Sequence, residues 1–201
     1  QFMRLALPMA CSRRERVALQ QALAGLSSAL RQWEALDAVA THELEQGLDS
    51  MARTAYLSPS HTGLLGVAGL GVEALASARS KMIRQRSAAG KRLEELHSEM
   101  EALAGKLDAL CMELGEGPQS PYVPGALLTR KDAARGALQA AGRAFHNEAA
   151  LRHSLLGAYA ELQPSQDDER KRLLIAWSER PFSLADEGTR MASLRKDTLV
   201  A

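Results

Sequence analysis

The residues able to do chemistry are few and scattered. Glu94 and His97 stand three apart in what reads as a helix, half of the paired Glu-x-x-His set that holds a carboxylate-bridged metal pair in a bundle. The second copy is missing, since His42, His61, His146 and His153 are preceded at that spacing by Val39, Ser58, Arg143 and Ala150. His97 also falls beside the apolar stripe of its helix, which predicts a solvated face. His146 and His153, with Glu148 between them, read as the polar face of another helix. Cys11 and Cys111 are too few for a disulfide framework or a metal quartet, and they favour a reducing compartment. No Gly-x-Ser-x-Gly elbow occurs. Gly63, Gly66, Gly69 and Gly71 run in the order GxxGxG, with no phosphate-binding Lys-Ser/Thr after them and no strand beside them. They predict an inter-helix connection. No catalytic residue, cofactor or metal is expected, and the chain reads as a non-enzyme.

One charge cluster stands out. Arg79, Lys81, Arg84, Arg86, Lys91 and Arg92 lie in a stretch without a single acid. The residues that follow, Leu93 to Glu116, reverse the balance, with Lys106 alone among the acids. Basic-first order opposes the helix macrodipole, at a cost of about 0.3–1 kcal/mol per exposed charge. The cluster is a candidate patch for an acidic protein partner. Nucleic acid is not the expected partner, because no aromatic residues interleave for base stacking and the chain's net charge is only +1.

The elements that carry these residues all read as helices. Ala and Leu number 35 and 32 in 201 residues, against eight aromatics. That composition suits narrow seams between helices better than a broad interior. Ser12 and Glu15 form a capping-box pattern that would open a first helix near residue 13. Leu19, Leu23, Leu26, Leu30 and Trp33 then recur at steps of four and three, and Ser58-Pro59 closes the run. A second helix is expected over 73–114. In it Leu93, Leu96, Met100, Leu103, Leu107, Leu110 and Leu114 alternate steps of three and four without a miss. The prolines of 115–128 predict a loop, and Thr129 is expected to cap a third helix. Pro164 would end that helix, Ser165 with Asp168 would start a short fourth one, and Arg180-Pro181 would break it.

The expected fold class is therefore all-α, with long antiparallel coiled-coil helices and a short helical C-terminal element. The expected organisation is an extension over 1–12, a heptad-bearing hairpin over 13–114 with a Gly-rich connection at 58–72, a loop, and a third long helix with short helices over 129–201. The apolar start, Gln1 to Pro8, is too short for a signal-peptide core, and Met9 would serve equally as a native start. No run reaches membrane-spanning length, so no membrane partner is expected and an intracellular, cytosolic setting is.

Two segments resemble the cyclin-dependent kinase 2-interacting protein family: Trp33-Glu34-Ala35-Leu36-Asp37, and Leu173-Leu174-Ile175-Ala176-Trp177-Ser178-Glu179-Arg180-Pro181-Phe182. The resemblance implies a nuclear, non-enzymatic adaptor around DNA replication and cell-cycle kinases. It also implies a helical subunit beside an AAA+ ATPase related to valosin-containing protein, acting on replisomes or maturing ribosomal subunits. Trp33, Trp177, Pro181 and Phe182 carry over as shape-defining or contact positions, and the implied direct partner is another small helical protein. From the heptads themselves, Leu93, Leu96, Met100, Leu103, Leu107 and Leu110 are expected to bind a partner helix. A coiled-coil subunit of a kinetochore or vesicle-tethering assembly shares all these physical features, and a helical-bundle metalloenzyme is the remote alternative.

Overall fold

In a computed structural model, residues 3–57, 71–115 and 125–179 are described, the side chains of 3–12, 14 and 125–129 excepted. They form four helices: α1 (Met3–Tyr56), α2 (Val72–Gly115), α3 (Gly125–Glu161) and α4 (Asp167–Ser178). The protein is all-α, and no strand occurs among the described residues. Expected segments 58–70, 116–124 and 180–201, Pro181 and Phe182 with them, lie outside the described residues.

Three expected helix boundaries are corrected. Helix α1 runs unbroken through Ser12, so the Ser12/Glu15 pattern opens nothing. Helix formers flank that serine, and a serine inside a helix costs less than about 0.7 kcal/mol relative to alanine. Likewise, α3 begins at Gly125, which places Thr129 inside the first turns rather than at the cap. The N-cap of α4 is Gln166, with no side-chain cap bond; the side chain instead accepts the Gln163 N–H at 2.7 Å. Asp167, Asp168 and Glu169 fill the first turn of α4, where the macrodipole favours acids. The ends fall as expected: α1 stops at Tyr56 before Ser58-Pro59, and α3 stops at Glu161 before Pro164.

The chain divides into two compact units. The first takes α1 to Glu34, α2 from Met100 and α3 to Glu148. Its core is Leu19, Leu23, Leu26 and Trp33 of α1, Met100, Leu103 and Leu107 of α2, and Leu138, Ala141 and Phe145 of α3. Trp33 stacks on Phe145 with ring centroids 4.1 Å apart and planes at 27°. Gly25 brings α1 close to α2, for a β-carbon there would stand 2.6 Å from Leu110 Cδ1.

The second unit takes α1 from Ala35, α2 to Glu99, α3 from Ala149, and α4. Ala40, Leu44, Leu48 and Met51 pack with Leu93, Leu96, Tyr159, Leu162, Leu173 and Trp177 in one apolar cluster. In this unit α1 and α3 run parallel, since Asp37 meets Arg152 and Gly47 meets Tyr159. The α2–α3 pair is antiparallel, since Arg86 meets Leu162 and His97 meets His153. It follows that α1 and α2 are antiparallel, the sense expected of the hairpin.

Candidate partner-binding surface

Most heptad residues face inward within their own units. Leu93 and Leu96 are buried in the second unit, and Met100, Leu103 and Leu107 in the first. Leu110 is half-buried. Their partners are helices of the same chain, so in these seams the hydrophobic requirement is met without another protein. Trp33 and Trp177, read as shape-defining or contact positions, are both buried, at 6% and 2% exposure. They act on shape from within.

Trp177 sits in a polar setting that its helix pattern does not announce. The Arg152 guanidinium lies 4.3 Å from the centroid of its indole ring. The same guanidinium pairs with Asp37, Nη2 to Oδ1 at 2.5 Å, and both side chains are almost wholly buried. A cation desolvated against an aromatic face contributes about 2 kcal/mol. The indole N–H is itself buried with no hydrogen-bond partner among the described residues, and the guanidinium meets the ring through its face. Asp37 lies in the segment that carries the family resemblance, but its partner is 115 positions away and no local signal joins them.

Two residues read as surface are buried. His97 is 7% exposed, and its ring centroid lies 5.3 Å from that of His153. Glu148 is 5% exposed. A helix held by two neighbours buries a stripe wider than the a/d seam of a two-stranded coil, and this brings His97 inside. His146, on the outer face, pairs with Asp108 at 2.8 Å. Among the described residues no three His, Cys, Asp or Glu side chains gather as a cation site.

The basic cluster splits into two kinds of residue. Arg86 is half-buried and donates through Nη2 to the carbonyl oxygens of Tyr159, Ala160 and Leu162, at 3.4, 3.2 and 2.9 Å. Tyr159 and Ala160 lie in the last turn of α3 and Leu162 just past it, where a cation is favoured; the Tyr159 carbonyl also accepts the Leu162 N–H at 3.4 Å. Tyr159 answers by donating its hydroxyl to the Arg86 carbonyl oxygen at 3.1 Å. Burial pushes the Tyr159 phenol above its ordinary value, and Arg86 draws it partly back. Arg86 is thus a helix cap, a correction to its reading as part of the patch. Arg92 donates to Glu95 at 2.9 Å and lies within 3.8 Å of Glu99. The other four, Arg79, Lys81, Arg84 and Lys91, are exposed, and among the described residues none forms an ion pair.

Three of these, Arg79, Lys81 and Arg84, belong to a length of α2 that is at most half-covered among the described residues. From Val72 to Ala88 no residue is buried. Yet the seam register continues there, with Leu75 and Met82 in heptad step with Ala89 and Leu96, and Val72, Arg79 and Arg86 in step with Leu93. Val72 is 83% exposed and Ile83 51%. Across from it on α1, Arg53 pairs with Asp49 at 2.8 Å. Compared with protein-family models, with curated proteins and with solved structures, the chain finds no match.

Proposed function

We propose that this chain is a non-enzymatic adaptor or scaffold subunit of a hetero-oligomeric complex, whose direct partner is another helical protein paired with it in a coiled coil. One observation carries the reading. The α2 seam is closed by helices of this chain from Ala89 onward, but from Val72 to Ala88 the same register stands half-covered at best. A helical length with no buried residue is marginal in water, because packing supplies most helix stability. A partner helix satisfies it.

The cellular setting rests on the family resemblance. It is nuclear, around DNA replication and cell-cycle kinases, with an AAA+ ATPase complex in replisome or ribosome maturation as the larger assembly.

The test is affinity purification of the tagged full chain from nuclear extract, followed by reconstitution of the identified partner from purified components. The expected result is a stoichiometric helical partner, with an AAA+ ATPase in the larger assembly. A chain that purifies alone and forms no complex on cross-linking would sink the adaptor reading. A stoichiometric helical partner from a tethering or kinetochore assembly would keep the adaptor and discard its setting.

A further inference from the structure

We infer that the α2 face formed by Val72, Leu75, Arg79 and Met82 docks an acidic amphipathic helix of a partner protein, laid where α3 stops. The inference rests on the adaptor reading and gives its partner a chemistry.

Geometry fixes the face. Arg86 points at the terminal carbonyls of α3. Met82, Arg79, Leu75 and Val72 precede it by 4, 7, 11 and 14 residues, the spacings that keep a helix face. The face that packs on α3 therefore continues N-terminally past the end of α3, and none of its residues is buried there. A second helix end-on to α3 meets three apolar side chains, Val72, Leu75 and Met82, with Arg79 among them, and Ile83 stands at the margin.

Charge fixes the occupant. No acid occurs from Ala74 to Leu93, and four exposed cations in this length have no ion partner among the described residues. Of the acids across the cleft on α1, Asp49 holds Arg53. The segments of this chain that could be laid there do not balance the charge. Residues 58–70 contain no acid, 116–124 contain one, and 180–201 carry Arg180, Arg190, Arg195 and Lys196 against Asp186, Glu187 and Asp197. A partner helix with an apolar seam and glutamates beside it satisfies both the seam and the field. The apolar side chains favour this over a phosphate backbone, which would need only the cations.

The test uses the full chain and a fluorescent synthetic helix of about three heptads with a leucine seam and flanking glutamates. Its twin carries lysines instead, and a mixed-sequence DNA duplex is the third probe. The glutamate helix should bind at least about tenfold tighter than the lysine twin. Arg79→Glu and Leu75→Ser should each weaken it at least about tenfold, whereas Lys81→Glu with Arg84→Glu, off the face, should cost only about two- to threefold, and less in high salt. Circular dichroism should stay unchanged in all, since no buried residue is altered. Equal binding of the two helices, or tighter binding of the duplex, would overturn the inference. So would self-association of the chain that Leu75→Ser abolishes, which would assign the face to a second copy. If the reconstituted complex survives Arg79→Glu and Leu75→Ser, the docking face is wrong and the adaptor reading stands. If no natural complex forms while the glutamate helix still binds, the adaptor reading fails and the face stands.

Discussion

The two units solve the same packing problem with different materials. The first is built mainly from Leu, Ala, Met100 and one aromatic stack, Trp33 on Phe145, with Glu148 its one buried charged side chain among the described residues. The second places Asp37, Ser50, Thr54, His97 and Arg152 below the surface beside its leucines. Apolar packing is tolerant of exchange, since side chains of similar volume can replace one another for less than about 1.5 kcal/mol. A buried polar network is not, because each group needs its partner in place. Arg152 couples α3 to α1 through Asp37 and to α4 through Trp177, so three helices meet at one guanidinium. The difference suggests a division of labour in which apolar burial gives the first unit its stability and polar matching gives the second its register. Each unit holds one of the two tryptophans, so variants that keep Trp33 or Trp177 alone report on each separately.

The comparison is broken most severely in the first unit by Leu103→Asp with Leu107→Asp. Each leucine contributes roughly 1.5–3 kcal/mol by burial, and the new carboxylates have no partner. Loss of helicity and of Trp33 burial should follow, read by circular dichroism and fluorescence. Retained helicity with an unchanged melting temperature would show that this seam contributes little. In the second unit, Arg152→Met keeps the volume but takes the cation away from the buried Asp37 carboxylate, and should cost about 3–5 kcal/mol in urea unfolding. Adding Asp37→Leu should restore most of that, since an apolar pair can replace a buried ion pair at little cost. A double variant as unstable as the single one would mean that the damage lies in lost contacts with Trp177 rather than in the loss of the cation beside Asp37.

The smallest effect sharpens the comparison at Tyr159. Tyr159→Phe removes one hydrogen bond, worth about 0.5–1.5 kcal/mol. It also changes the response to alkali. Burial holds the folded phenol above its ordinary value of 10.0, so its contribution is complete below that pH and is lost as pH rises through the folded value. Stability should therefore fall on the alkaline side, and the phenylalanine variant should fall less steeply across the same range. Identical slopes for both chains would place the alkaline loss on other groups.

What can be read in advance is whatever repeats. The seam from Leu93 to Leu107 and the place of Trp33 on it follow from heptad spacing, because a repeat is a local signal. Asp37 with Arg152 does not repeat, and its partners come from helices far apart in sequence. His97 and Glu148 were placed on the outside by a two-stranded picture of the seam, and a third helix widens the buried stripe. Arg86 was grouped with its charged neighbours because sequence shows a cation but not the carbonyls that need one. Thr129 and Ser12 are capping residues by type, yet the helix formers before them extend the helix past the expected boundary.

Arg86 also measures length. It grips the last carbonyls of α3 while Ala89 and Leu93, one and two turns on, sit in the core. One residue inserted between Arg86 and Leu93 would swing the guanidinium about 100° around the helix, away from α3. A seven-residue insertion would nearly restore its direction but carry it about 10 Å along the axis, past the carbonyls. Neither keeps the grip. The stretch from Arg86 to Leu93 is therefore a ruler whose length is fixed, and among homologous chains insertions and deletions in α2 should fall outside it.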